Sequence, residues 1–185
     1  KKFEVVPIGI TKEGKWLGPG KAIPLLSQSA RSLLSARTSS SSRDDVAILP
    51  DPTQVGLISF DARGPGSTEK LDVVFPVLHG PFGEDGTIQG LLEMANVPYI
   101  GCGVLASSTG MDKVAMKSLF LQAGLPICRY TWFLRKHWQA DRRGIIRKVT
   151  RELGWPCFVK PANLGSSVGI SKASDKTSFE RAADL

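Results

Sequence analysis

The sequence predicts an α/β protein with two domains, and two patterns along the chain support this prediction. Residues 72–78 form a nearly continuous apolar run, which is typical of a strand covered on both faces of a parallel sheet. Farther along, residues 157–160 and 169–172 are predicted to be short strands, joined by a loop rich in glycine and serine. We therefore predict an N-terminal parallel-sheet domain at residues 1–104 and a small α+β domain at residues 105–185.

The first domain begins with a predicted strand at residues 3–10, where apolar and β-branched residues follow one another. Pro7 has no backbone N–H group, so we place it at an edge or a bulge of the sheet. A turn at residues 12–15 follows. Residues 18–70 are expected to be variable and functionally silent, with a mobile surface loop at the serine-rich run 38–43.

A helix is predicted directly after residues 72–78. Thr87 can cap this helix and Asn96 ends it, and residues 97–100 return as a short strand. Four apolar residues at positions i, i+3, i+4 and i+7 form its buried stripe: Ile88, Leu91, Leu92 and Ala95. The order strand, helix, strand predicts a βαβ unit, and therefore parallel pairing of the two strands.

The second domain contains two predicted helices. The first begins after Asp112 and ends at Gly124 and Pro126, and four of its apolar residues share one buried face: Met116, Leu119, Phe120 and Ala123. The second covers about residues 142–153 and exposes its arginines. Its buried stripe consists of Ile145, Ile146, Val149 and Leu153.

The positive charge of the chain is concentrated in one segment. The net charge is +7, and residues 129–151 hold eight basic residues and one acidic residue, so the remainder is balanced. Aromatic residues interleaved with these charges leave single-stranded RNA as one possible partner. A solvated amphipathic helix explains the same pattern, because the charges alternate with an apolar stripe, and we therefore expect no nucleic-acid partner.

Cysteine usage and hydropathy indicate the compartment. Cys102, Cys128 and Cys157 are widely spaced and fit neither a zinc site nor a disulfide framework, which favours a reducing cytoplasm. No apolar run approaches the roughly twenty residues that cross a bilayer, and no stretch resembles a signal peptide. We expect a cytoplasmic protein without membrane attachment.

Three motifs contain most of the chemically useful residues. His-Gly-Pro-Phe-Gly-Glu-Asp-Gly lies at residues 79–86, Met-Asp-Lys at 111–113, and Lys-Pro-Ala-Asn-Leu-Gly-Ser-Ser-Val-Gly at 160–169. The first and third follow predicted strands. Loops that combine glycine with polar side chains at the ends of strands commonly hold ligands in α/β proteins.

Lys113 and Lys160 are candidates for binding phosphate. An ammonium group is a compact charge suited to phosphate oxygens, and the start of a helix at Lys113 adds a favourable dipole. Lys160 follows an apolar strand, so its ammonium must reach a cleft or a partner. The alternative is a lysine on an edge strand whose head reaches solvent.

The segment Gly-Ser-Ser-Val-Gly at residues 165–169 matches the nucleophile elbow of serine hydrolases, centred on Ser167. We reject that interpretation because the elbow requires a later histidine, and the only histidines are His79 and His137. A backbone nest for an anion is the alternative chemistry, because glycines let amide groups converge. A plain hairpin loop also remains possible.

His79, Glu84 and Asp85 form the third candidate group. The imidazole of His79 follows the predicted strand and can donate a hydrogen bond to a carboxylate or a phosphate. Glu84 and Asp85 either support a ligand or hold backbone amides near the start of a helix. One histidine beside two adjacent acids is poor spacing for a metal site, so we predict no metal ligands in this chain.

Together and in this order, the three motifs resemble those of the D-alanine–D-alanine ligase family of ATP-grasp enzymes. The resemblance is dense over residues 71–172 and looser before them. It implies a Rossmann-like pre-ATP-grasp domain followed by the central ATP-grasp subdomain. It also implies that Ser166 contacts the first D-alanine and that His79 lies near the transferred phosphate. The implied nucleotide contacts are Lys113, Phe158, Lys160, Gly165, Ser166, Ser167, Val168 and Gly169.

The resemblance further implies an activity that makes an amide bond with ATP and Mg²⁺. Such ligases phosphorylate one D-alanine, join it to a second for peptidoglycan synthesis, and are expected to be homodimers when complete. The family's Glu-His-x-Val-Ser segment and its third region, which supplies the metal ligands, have no counterpart here. We therefore expect an incomplete chain without turnover of its own. A non-catalytic nucleotide-binding or assembly module, and D-lactate or D-serine as second substrate, remain alternatives.

Overall fold

The computed structural model describes residues 3–35, 45–61 and 64–185. Contacts divide the chain into two compact units, of which the first comprises residues 1–76 and 89–101 and the second residues 77–88 and 102–185. The loops at 79–86 and 160–169 thus belong to the same unit. The domain boundary at residues 104/105 stays a prediction.

The first unit contains a five-stranded antiparallel sheet in sequential order. Its strands are β1 (Gly9–Ile10), β2 (Trp16–Leu17), β3 (Asp45–Ala47), β4 (Leu57–Asp61) and β5 (Gly64–Glu69). Two helices, α1 (Pro19–Ala22) and α2 (Gln28–Ser35), lie between β2 and β3 in the sequence. Three of the strands therefore come from residues 18–70, while the serine-rich run 38–43 lies outside the described residues.

This five-stranded sheet is antiparallel, and not parallel as predicted. The predicted parallel pairing of residues 72–78 with residues 97–100 occurs only as one bridge, between Val74 and Tyr99. Val73, Phe75 and Val77 are 49%, 71% and 70% exposed, so residues 72–78 are not a strand covered on both faces. Pro76 explains part of the difference, because it has no N–H group with which to continue the ladder. For the same reason Pro7 precedes β1, which is much shorter than the predicted strand at residues 3–10.

The remaining helices and strands are α3 (Thr87–Met94), α4 (Val104–Met111), α5 (Lys113–Gln122), α6 (Arg135–Ala140), α7 (Arg142–Glu152), β6 (Cys157–Val159), β7 (Ser171–Ala173) and α8 (Lys176–Asp184). The helices α3, α5 and α7 and the strands β6 and β7 correspond to predicted elements, whereas α4 and α6 were not among them. Strands β6 and β7 form an antiparallel hairpin. Within the described residues, no helix has both the length and the apolar character to cross a membrane.

The ends of α5 agree with the capping residues in its sequence, but the face that it buries does not agree with the prediction. The Asp112 carboxylate accepts the N–H groups of Val114 and Ala115 at 2.8 and 2.9 Å, and Gly124 beyond the helix has a φ of 72°. The predicted buried face is wrong, however, because Leu119 and Phe120 are 51% and 39% exposed. Helical spacing aligns side chains, but it does not determine whether another element covers them.

An aromatic cluster forms the core of the second unit. Trp138 is buried against Phe179, with ring centroids 5.8 Å apart, and the apolar stripe of α7 packs into the same cluster as predicted. The Trp138 indole N–H donates to Asp184 Oδ1 at 2.9 Å, and Arg142 pairs with the same carboxylate at 2.8 Å. The hydrogen bond from Trp138, with that of Arg142, lowers the pKa of Asp184.

Substitution W138A is predicted to destabilise the second unit by about 3–5 kcal/mol, because it removes a large buried ring and leaves a cavity. The control W132A removes a ring that is 51% exposed and is expected to cost less than about 1 kcal/mol. Urea denaturation followed by far-UV circular dichroism measures both values. Equal losses of unfolding free energy in the two variants would contradict the assigned core.

Candidate functional site

The loop at residues 79–86 is organised by its own two acids. Glu84 Oε2 accepts the N–H group of Gly80, and the Asp85 carboxylate accepts those of Phe82 and Thr87 at 2.9 and 3.0 Å. Burial raises the pKa of Asp85, but the hydrogen bonds from Phe82 and Thr87 outweigh burial and hold it below its ordinary value. These contacts favour the structural interpretation of both acids.

Helix α4 supports this loop through Ser108. The Ser108 hydroxyl lies 2.8 Å from the carbonyl oxygens of both Asp85 and Val104, and it can donate to either. Gly86 has a φ of 93°, and a Cβ atom at this position would lie 2.4 Å from Ser108 Oγ. Only glycine fits this close approach. Ser108 was not predicted from the sequence, because its contact with Asp85 spans 23 positions and no local motif signals it.

His79 is the first residue of this loop and is exposed. Among the described residues its imidazole has no hydrogen-bond partner. Phe82, in the middle of the loop, has a φ of 68° and is 73% exposed. A bulky residue in the left-handed region is strained, and here two contacts hold it: its N–H donates to Asp85, and its carbonyl accepts the N–H of Ile88.

Lys113 fastens the start of α5 to the second loop. Its backbone N–H donates to the carbonyl of Ala162 at 3.0 Å, and its ammonium donates to the carbonyls of Leu164 and, at 3.4 Å, Ala162. Lys160 lies two positions before Ala162 and is exposed. The structure thus places the cation of Lys113 beside the chain segment that follows Lys160.

The glycine–serine loop contains a tight turn with an uncommon backbone. The N–H group of Val168 donates to the carbonyl of Gly165 at 3.0 Å, and the central residues Ser166 and Ser167 have φ values of 49° and 61°. Two successive positive φ values are characteristic of a type I′ turn, which glycine and asparagine usually occupy. Serine at both positions stores backbone strain, and such strain is concentrated at ligand sites.

The two loops meet at Glu84. A Cβ atom built on Gly165 would lie 3.6 Å from Glu84 Oε2, so the carboxylate that closes the first loop also adjoins the second. Lys113 contacts the second loop from α5, and Ser108 contacts the first loop from α4. Loops that are about eighty residues apart in the sequence therefore share one site within the second unit.

The hairpin β6–β7 borders this site. Cys157 and Val159 pack on the aromatic core, while Phe158, which lies between them, is 61% exposed. Gly169 and the side chains of Ser166, Ser167 and Val168 are also exposed, so the predicted contact residues of the loop are accessible to a ligand. No group of three or more histidine, cysteine or acidic side chains within the described part of the chain can hold a metal ion.

The lowered pKa of Asp85 predicts a pH-dependent contribution to stability. Ionised Asp85 stabilises the fold above its unfolded pKa of about 4, and this contribution is lost as the pH falls through the lower folded value. The variant D85N should therefore be less stable than the parent near neutral pH, and the difference should shrink below about pH 4.

Urea denaturation at a series of pH values measures this difference. The control variant is D72N, which replaces a carboxylate that is 91% exposed and should change stability little at any pH. If the difference between D85N and the parent is the same at every pH, the ionised carboxylate does not stabilise the loop.

Comparison with protein families supports the assignment of these motifs. The family model described as "D-ala D-ala ligase N-terminus" matches residues 1–102, and the one described as "D-ala D-ala ligase C-terminus" matches residues 119–185. A D-alanine–D-alanine ligase from Bacillus velezensis is 48% identical over 185 residues, which cover 100% of this chain and 50% of that protein. The corresponding protein from Heliobacterium modesticaldum is 49% identical, over 99% of this chain and 47% of its own length.

Solved structures show the same relationship. The VanG D-Ala:D-Ser ligase from Enterococcus faecalis superposes with a TM-score of 0.76 at 30% identity, covering 99% of this chain and 49% of that one. The D-alanyl-alanine synthetase A from Vibrio cholerae gives a TM-score of 0.72 at 25% identity, with coverages of 99% and 45%. The chain spans about half the length of the curated relatives that it matches. Because the two family models together account for most of its residues, the chain belongs to the D-alanine–D-alanine ligase family.

Proposed function

We propose that this chain forms part of an ATP-dependent ligase that joins two D-alanine molecules, and that its second unit holds the phosphates of ATP. The observation that carries this proposal is the meeting of both motif loops at Glu84, with Lys113 hydrogen-bonded to the second loop. Membership of the ligase family supplies the reaction class. The geometry supports the roles that we propose for individual residues.

Lys113 can bind phosphate without giving up its structural contacts. An ammonium group has three N–H donors, and two of them point to the carbonyls of Ala162 and Leu164. The third donor remains for a phosphate oxygen. The exposed ammonium of Lys160 adds a second positive charge near the same loop, and charge-assisted hydrogen bonds to phosphate are among the strongest that proteins make.

The loop at residues 165–169 contributes neutral donors. The strained turn at Ser166 and Ser167 presents two exposed hydroxyl groups together with successive backbone amides, an arrangement that suits an anion. We assign Ser166 to contact with the first D-alanine and His79 to the region of the transferred phosphate. In this assignment Glu84 and Asp85 support the loop rather than touch substrate.

The proposed reaction proceeds in two transfers. A carboxylate oxygen of the first D-alanine attacks the terminal phosphorus of ATP, which gives an acyl phosphate and ADP. The amine of the second D-alanine then attacks the acyl carbon, loses a proton, and displaces inorganic phosphate with its bonding electron pair. The described residues contribute by positioning the reactants and neutralising negative charge, which are the main catalytic effects in phosphoryl transfer.

We propose D-alanine as the second substrate, because relatives named D-alanine–D-alanine ligase are 48% and 49% identical to the chain. A solved D-Ala:D-Ser ligase is 30% identical, so D-serine stays the alternative. We further propose that the complete enzyme is a cytoplasmic homodimer that uses Mg²⁺ and feeds peptidoglycan synthesis. These assignments follow from the family and not from contacts in this structure.

A non-catalytic nucleotide-binding module is the second candidate. It rests on the same contacts, since the loops that meet at Glu84 and the hydrogen bonds of Lys113 can serve binding without turnover. Both candidates share the phosphate site, so both require binding of ATP. They differ in whether the longer protein turns ATP over.

Nucleotide binding by the 185-residue chain tests the shared phosphate site. Titration calorimetry with a non-hydrolysable ATP analogue should show that K160M and K113M each weaken binding about tenfold or more, because each loses a charge-assisted contact. The matched control K148M removes an exposed lysine of α7 and should leave the affinity unchanged. Equal affinities for K160M and K148M would contradict the site.

The same preparations test turnover. We expect ATP and D-alanine to give no phosphate release above background from the 185-residue chain, because the described residues contain no group of three or more metal-ligating side chains. Phosphate release that depends on D-alanine would contradict this expectation. The RNA interpretation predicts a different result. An RNA oligonucleotide would displace the ATP analogue, and replacing the lysines and arginines of residues 129–151 would abolish this displacement.

A further inference from the structure

The exposed face of the hairpin β6–β7 contains a lysine that the motifs do not include. The register pairs Phe158 with Lys172 directly across the two strands, and it pairs Cys157 with Ala173 and Val159 with Ser171. Side chains paired across a ladder lie on the same face of the sheet, with Cβ atoms about 5 Å apart. Lys172 is therefore the immediate neighbour of Phe158.

The two faces of the hairpin differ in their contacts. Cys157, Val159 and Ala173 pack against the aromatic core of the second unit, and this fixes the buried face. Phe158 and Lys172 alternate with these residues and are exposed on the opposite face. Lys160 follows Phe158 by two positions and precedes Pro161, which favours extended backbone and keeps Lys160 on the same side.

The exposed face thus presents an aromatic ring that is 61% accessible, with Lys172 across the ladder from it and Lys160 two positions later in the sequence. Within the part of the chain that the structure describes, neither Lys160 nor Lys172 pairs with a carboxylate. Two unneutralised cations around an apolar ring suit a ligand that has both a flat ring and negative charge. A nucleotide has both, whereas D-alanine has neither a ring nor a net charge.

We infer that Lys172 is a further nucleotide-binding residue, which donates to a phosphate oxygen of ATP from the strand opposite Phe158. This inference rests on the proposed function, because it extends the same phosphate site by one residue. It adds a third cation to Lys113 and Lys160. In the same arrangement, the exposed Phe158 ring contacts the base or the sugar of the nucleotide. The neighbouring lysines then hold its phosphates.

Calorimetry with the ATP analogue and with adenosine tests the inference on the 185-residue chain. K172M should weaken binding of the ATP analogue about fivefold, the upper range for an exposed charge pair, and K172R should restore most of the affinity. Adenosine has no phosphate, so its affinity should be the same in K172M and in the parent. The control K176M replaces an exposed lysine at the start of α8 and should bind the ATP analogue as the parent does.

The possible results of these titrations separate the role of Lys172 from the proposed phosphate site. If K160M weakens binding of the ATP analogue and K172M does not, the role of Lys172 is overturned while the proposed function stands. If K172M weakens ATP analogue and adenosine equally, Lys172 shapes the hairpin and does not contact phosphate, which also overturns the inference. If the parent chain binds no ATP analogue, both the inference and the proposed phosphate site fail.

Discussion

The hydrogen bonds from Lys113 to the carbonyls of Ala162 and Leu164 are the contacts on which the rest of the site depends. They join the first turn of α5 to the second loop, in which Ala162 lies 49 positions after Lys113 in the sequence. A loop rich in glycine and serine has a high conformational entropy when free, so its useful shape has to be imposed by contacts from outside. Lys113 supplies such contacts through both its backbone and its side chain, and it retains one donor for a ligand.

In the first loop, two acidic side chains hold the backbone in its conformation. Glu84 and Asp85 accept backbone N–H groups that would otherwise remain unpaired, and the lowered pKa of Asp85 shows that its ionised form is the one that fits. Because Glu84 also adjoins Gly165, the carboxylate that shapes one loop limits the space beside the other. A substitution of Glu84 should therefore affect the conformation of both loops, although they are far apart in the sequence.

Local features of the fold were predictable because their causes are local. Asp112 caps α5, Gly124 follows it, and the apolar stripe of α7 packs into the core, as capping chemistry and helical spacing predicted. The five-stranded sheet is antiparallel rather than parallel, and the predicted buried face of α5 was wrong, because an apolar run does not reveal which segment will pair with it or cover it. In the site, the sequence indicated the residue types, while the phosphate chemistry stays a prediction. The sequence did not indicate that Lys113 bonds to carbonyls, that Ser108 supports the first loop, or that Lys172 faces Phe158. Each of these contacts joins residues that are far apart along the chain.

Amide hydrogen exchange is the most direct test of the claim that both loops form one phosphate site. Exchange in the 185-residue chain would be compared with and without a non-hydrolysable ATP analogue, residue by residue over the two loops. The account predicts slower exchange at residues 164–169 and also at residues 80–86, because Glu84 connects the loops and both should be ordered together. Protection confined to other parts of the chain, or to the basic segment 129–151, would contradict it.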